Sequence, residues 1–120
     1  MSDKPLRVDD LLPLPSATFQ ILMALGDEAR HGYAIMQEVA ARTDGKLRLG
    51  AGTLYRSIQR MLEQGLIEEM RRRPSKELDD ERRRYYRTTA FGTAVARAEA
   101  RRLAGMVKMA RACGFIPRRA

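Results

Sequence analysis

One histidine, His31, and one cysteine, Cys113, are the chain's whole supply of the side chains that most often ligate zinc or attack substrates. A tetrahedral site cannot be assembled from that pair within one chain, so no metal is expected. Gly50-Ala51-Gly52-Thr53 is glycine-rich but lacks the Gly-Lys-Ser/Thr ending of a nucleotide-binding loop. His31, beside Gly32 at a helix start, reads as a packing or capping residue, and Cys113 as a thiol late in a helix. No catalytic residue and no cofactor are expected, and the chain reads as a non-enzyme. The groups with chemistry to offer are arginines. Arg56 and Arg60 stand one helical turn apart with Thr53 ahead of them. A guanidinium can donate two parallel hydrogen bonds to the O6 and N7 of guanine, so this trio suits base edges in a DNA major groove. Solvated charges on an ordinary amphipathic helix would show the same spacing, and the helix alone does not separate the two readings.

The element that must position them runs from Gly50 to Gly65. At 100° per residue, Leu54, Tyr55, Ile58, Met61 and Leu62 gather on one side, and Gly52, Thr53, Arg56, Arg60 and Glu63 on the other. Gly65 suits a left-handed cap after the last periodic residue. Gly50 is acceptable before the first turn, and Gly52 lets a partner approach the backbone closely. Tyr55, at the border of the apolar face, serves either the core or a phosphate through its hydroxyl.

Charge supports a polyanionic partner. The 120 residues carry a net +8, and the excess is uneven. Residues 1–46 hold five Lys/Arg against seven Asp/Glu, residues 47–88 eleven against seven, and residues 89–120 seven against one. Basic character thus begins at the arginine-bearing helix and continues to the end, which favours nucleic acid or an acidic surface. With 44% apolar residues the chain can bury one modest core. A lone cysteine fits a reducing compartment, and neither a signal peptide nor an 18-residue apolar run is present, so a cytoplasmic location is expected.

The remaining elements follow in order. Residues 1–15 are proline-punctuated, with Leu11, Leu12 and Leu14 among polar neighbours, and read as an N-terminal arm whose leucines dock on something. Ser16 is the expected N-cap of a first helix ending at Gly26. Asp27–Arg30 reads as a turn, and a second helix runs from about Gly32 to Arg42, burying Tyr33, Ile35, Met36 and Val39. With the Gly50–Gly65 helix as third member, this is a helix-turn-helix pattern. Leu66–Arg71 and Arg82–Thr88 read as two strands around a charged tip, which makes a β-hairpin directly after the reading helix. That order is the arrangement of a winged helix. The tip places Glu77, Asp79, Asp80 and Glu81 between two basic clusters, so its arginines either straddle a phosphate backbone or are neutralised internally. Thr88 or Thr89 caps a last helix, about Ala90 to Ala112, long enough at about 34 Å that the domain cannot cover all of its apolar side. A second copy is the economical cover.

His31-Gly32-Tyr33-Ala34-Ile35, Gly52-Thr53-Leu54-Tyr55, Glu63-Gln64-Gly65-Leu66-Ile67 and Arg84-Tyr85-Tyr86-Arg87-Thr88 with Gly92 resemble, in order and spacing, the PadR family of bacterial transcriptional regulators. The chain is similar to the family's small branch, with one helix after the wing. The resemblance implies a winged helix-turn-helix, a dimer built through the last helix and the N-terminal segment, and usually repression at a palindromic operator. Family members often carry Ser-Pro where Gly50-Ala51 stand, and the tryptophan-lined drug pore of some small members has no counterpart in a chain without Trp.

The expected fold is mainly α with a β-hairpin: an arm at 1–15, a winged helix-turn-helix DNA-binding domain at 16–88, and a C-terminal dimerisation helix and tail at 89–120. Double-stranded DNA is the expected partner, with a second copy of the chain, an unidentified small-molecule effector as a further possibility, and no membrane. Candidate DNA-binding residues are Arg48, Gly52, Thr53, Tyr55, Arg56, Arg60, Arg71, Arg72, Arg83 and Arg84. Candidate dimer residues are Leu11, Leu12, Phe91, Val95, Ala98, Leu103, Met106, Val107 and Ala110. The second reading is a winged helix that binds an acidic protein without specific DNA binding, because fold does not fix function.

Overall fold

The computed structural model describes residues 5–26, 28–70 and 84–117. Four helices, α1 (Ser16–Ala24), α2 (Gly32–Arg42), α3 (Ala51–Gln64) and α4 (Ala90–Ala112), surround a small antiparallel sheet. Its strands are β1 (Arg30–His31), β2 (Ile67–Met70) and β3 (Tyr85–Thr88), in spatial order β1-β3-β2. This is the winged helix-turn-helix with a long C-terminal helix.

α1 is the hub of the core and packs on α2, α3 and α4. Ile21, Leu22 and Ala24 on α1 meet Ile35 and Val39 of α2 and Leu54, Ile58 and Met61 of α3 in one buried cluster, closed by Leu66, Ile67, Tyr86 and Val95. Burial at Leu54, Ile58 and Met61 follows the helical period, which leaves the opposite face of α3 to solvent. Ser16 is the first residue of α1 rather than its cap: Pro15 precedes the helix and no side chain caps it. Tyr33 is 57% exposed, not buried, because it points outward from the first turn of α2 while Ile35 and Val39 carry the apolar face.

Arg30 falls in a strand, not in the expected turn. β1 pairs Arg30 with Tyr86 and His31 with Tyr85, and β2 pairs Ile67 with Thr88 and Met70 with Tyr85. Arg30 is held at both ends of its side chain: Nε donates to the Ala24 carbonyl at 2.8 Å, and Nη2 lies 3.0 Å from Glu28 and 3.5 Å from Glu38. His31 then caps α2, its Nδ1 accepting from the Ala34 N–H at 3.2 Å, with its ring edge-on to Tyr85 at 5.3 Å. Among the described residues the hairpin strands span Ile67–Met70 and Tyr85–Thr88, with Leu66 and Arg84 just outside them, and the charged tip lies outside the described residues.

The corner after α3 joins this helix to the sheet and to α4. Gly65 closes α3 in the left-handed region, at φ 77°, with its N–H on the Leu62 carbonyl and the Leu66 N–H on that of Met61. Thr89 staples this corner to the start of α4. Its hydroxyl donates to the Gly65 carbonyl at 2.5 Å and accepts from the Gly92 N–H at 3.0 Å, while its own N–H donates to Leu66. Gly92 lies so close that a Cβ there would fall on the Leu66 carbonyl oxygen and 2.8 Å from Thr88 Cγ2.

At the other end, residues 8–11 form one turn of 3-10 helix against α4, and Leu14 is buried. Leucines of the arm therefore dock on the chain's own core. Glu99, in the middle of α4, is 2% exposed and makes a two-bond ion pair with Arg102, at 2.7 and 2.9 Å. The Arg102 bonds, with a backbone bond from Leu14 beside them, hold its carboxyl below the ordinary value against the opposing effect of burial.

Candidate nucleic-acid interface

The outer face of α3 is positioned by the burial of its inner face. Gly52, Thr53, Arg56 and Arg60 are all exposed, on the side away from Leu54, Ile58 and Met61. The Arg56 guanidinium folds back toward the start of the helix: a Cβ on Gly52 would stand 3.3 Å from its Nη1. Helical side chains lean toward the N-terminus, and the bare Gly52 leaves room for this one. A groove of about 460 Å³ runs between α3 and the start of α1, lined by Pro15, Thr18, Arg56, Gln59, Arg60 and Glu63. Neither Arg56 nor Arg60 is in an ion pair among the described residues, so both guanidinium groups keep their donors for a partner.

Gln59 is the residue that the sequence reading passed over. It is exposed, and shares the groove with the two arginines. Its amide can pair with adenine as a guanidinium does with guanine. The signal was present, since position 59 lies only 60° around the helix from position 56, but an uncharged side chain does not stand out in a charge count.

Arg48 is exposed ahead of α3, its Nη2 3.3 Å from where a Cβ on Gly45 would be. Tyr55 is half-exposed, with its ring laid on Gly32 at the start of α2, so it serves both the protein surface and the contact between helices. Arg84 extends from the wing strand, 73% exposed and 3.8 Å from Glu69. An exposed pair at that distance restrains it little. Arg71, Arg72 and Arg83 lie outside the described residues. On the strand itself, burial first and the Glu69 carboxylate second push the Tyr86 phenol above its ordinary value, against the opposing charge of Arg84.

The candidate dimer residues differ in burial. Leu103, Met106 and Val107 are 36%, 50% and 43% exposed on the half of α4 that extends past the domain, with the half-buried Ala110 beyond them. Val95 is wholly buried within the chain's own core, so it fastens α4 to its domain and is covered from a second copy, while Phe91 packs against the same core and is half-buried. Helical periodicity shows an apolar stripe but not which end of it the domain covers. Leu11 and Leu12 are half-buried on the same core, and Ala98 is half-buried on α4. No helix among the described residues is long and apolar enough to cross a membrane.

A transcriptional-regulator family model, PadR-like, matches residues 21–98. An uncharacterized protein of Lysinibacillus sphaericus is 35% identical over 74 residues, which cover 62% of this chain and 65% of that protein's length. A PadR family transcription regulator from Clostridium difficile superposes with a TM-score of 0.66 at 23% identity, over 81% of this chain and 96% of the other. Bacillus subtilis PadR, solved in complex with operator DNA, superposes with a TM-score of 0.58 at 16% identity, over 72% of this chain and 47% of the other. At those identities the two structures share the fold.

Proposed function

From the premise that the chain belongs to the PadR-like family of transcriptional regulators, we propose that it binds operator DNA sequence-specifically as a homodimer and represses transcription. The observation that carries this reading is the outer face of α3, where Thr53, Arg56, Gln59 and Arg60 are exposed together, beside a groove and without ion pairs among the described residues. A short helix so presented enters a major groove, its arginines reading guanine. Arg48 and Arg84 flank it and hold the phosphate backbone, which fixes register without reading sequence. Arg71, Arg72 and Arg83, by sequence position, belong to the same backbone-holding group.

Pairing occurs through the exposed end of α4, where Leu103, Met106 and Val107 form an apolar strip that water would otherwise wet. A twofold axis there presents two α3 helices to successive major grooves about 34 Å apart, and the matching operator is a palindrome. The likeness in fold to a PadR solved on operator DNA supports the DNA-binding part of this reading. Repression follows from occupancy of a promoter by such a dimer.

The test is selection of fragments from a random duplex pool by the purified protein, followed by sequencing. A palindromic site is expected, and Arg60→Ala should weaken binding to it by about 1–3 kcal/mol while blunting base preference at one position of each half-site. Failure to enrich any sequence, or an unchanged preference in the variant, would refute the assignment.

A further inference from the structure

Gly32 opens α2, and its backbone does not require a glycine. The glycines in the left-handed region are Gly45, Gly65 and Gly114, and Gly32 is not among them. A helical residue of ordinary φ is better served by alanine. What the position requires is space. The three atoms nearest to a Cβ placed on Gly32 all belong to Tyr55: the hydroxyl oxygen, with which it would collide, Cζ at 2.9 Å and Cε1 at 3.1 Å. Tyr55 is nevertheless 50% exposed, so its ring has solvent to swing into.

From this geometry we infer that Gly32 is a positioning residue for DNA binding: its missing side chain seats the Tyr55 phenol over the start of α2, where the hydroxyl meets a backbone phosphate. This rests on the DNA-binding reading above. The seat is well furnished. His31 satisfies the Ala34 N–H, fixing the first turn of α2, and its ring is braced against Tyr85. Tyr55 is adjacent to Arg56, so a phosphate held by its hydroxyl sets how deeply the arginine face enters the groove. A hydroxyl donating to a phosphate oxygen makes a charge-assisted hydrogen bond, which is lost if the ring turns outward.

Two features of the sequence are thereby joined. The glycine of His31-Gly32-Tyr33 and the tyrosine of Gly52-Thr53-Leu54-Tyr55 are halves of one contact. The inference separates folding from binding, since the three atoms nearest to a Cβ at position 32 belong to a side chain that can leave.

The experiment compares the wild type with Gly32→Ala, Tyr55→Phe and the double variant, by thermal melting and by fluorescence anisotropy on a labelled mixed-sequence duplex at low salt. Gly32→Ala is expected to melt at or above the wild-type temperature yet bind duplex about tenfold more weakly, the worth of one charge-assisted hydrogen bond. Tyr55→Phe should lose a similar factor, and the double variant no more than either single one. Losses that multiply in the double variant, full binding by Tyr55→Phe, or a clearly lowered melting temperature for Gly32→Ala would each overturn the inference. Arg48→Ala on the same duplex keeps the two readings apart. If the wild type binds and Arg48→Ala weakens it while Tyr55→Phe does not, only the inference falls; if the wild type does not bind at all, the DNA reading falls with it.

Discussion

Two glycines of α4 give opposite forecasts for the same substitution. At Gly92 a Cβ would strike the Leu66 carbonyl oxygen and stand 2.8 Å from Thr88 Cγ2 and 2.9 Å from the Leu66 carbonyl carbon. All three lie inside the 3.4 Å at which ordinary contact begins, and two are backbone atoms that cannot rotate away. Opening the seam between α4 and the Gly65–Leu66 corner strains the bonds from Thr89 to Gly65 and Leu66. Overpacking of this kind costs about 1–3 kcal/mol and each weakened hydrogen bond about 1 kcal/mol, against a gain of about 0.5–1 kcal/mol from replacing a helical glycine. Gly92→Ala should therefore destabilise by about 2–4 kcal/mol, a fall in Tm of roughly 10–20 °C for a domain of this size. Gly105 lies in the same helix with nothing within 4 Å of its Cβ position, so Gly105→Ala should stabilise by about 0.5–1 kcal/mol. Urea unfolding followed by circular dichroism at fixed protein concentration measures both. If the two substitutions move stability in the same direction, the close approach at Gly92 is not what holds α4 to the sheet.

Three further tests bear on other parts of the molecule. Glu99→Gln should cost about 1–3 kcal/mol near neutral pH, since a buried carboxylate is removed from a partly exposed guanidinium. The pH dependence has a definite sign. The folded-state pKa lies below the ordinary 4.5, so the stabilisation is present above that value and fades as pH falls through the folded pKa; urea titrations of both proteins should converge in acid. Met106→Glu should shift the sedimentation coefficient toward that of a single chain, because a charge would have to be buried in the apolar strip. Arg48→Ala should weaken binding to all duplexes alike and reduce the slope of log affinity against log salt by about 1, measured by anisotropy across a salt series.

Periodic and terminal signals were the legible part of the fold. Leu54, Ile58 and Met61 gave the buried side of α3, Gly65 its left-handed end, and Thr89 was one of two threonines named as the cap of α4. β1 was not legible, because two residues carry no alternation and Arg30 owes its place to the Ala24 carbonyl and to the Glu28 and Glu38 carboxylates. The buried Glu99 was equally hidden: a single glutamate in an arginine-rich helix reads as a surface charge until Arg102 and the Leu14 backbone are seen around it. At the candidate interface, exposure of Thr53, Arg56 and Arg60 follows from the wheel. Seating Tyr55 on Gly32 does not, since it depends on how two helices cross. Val95 shows the converse failure, as a residue of the right type on the covered end of the stripe.

The strand Arg30–His31 runs into α2 without an intervening residue, while its neighbour β3 is the middle strand of the sheet. The sheet therefore ties the wing strands to the front of α2, and the shared core ties α2 to α3. If α3 and the wing both face DNA, as proposed above, the connection between them sets the gap they present to a duplex. On the function proposed above, a duplex whose groove widths do not match that gap has to bend or narrow to fit. Sequences that deform cheaply would then be preferred even at base pairs that no side chain reaches.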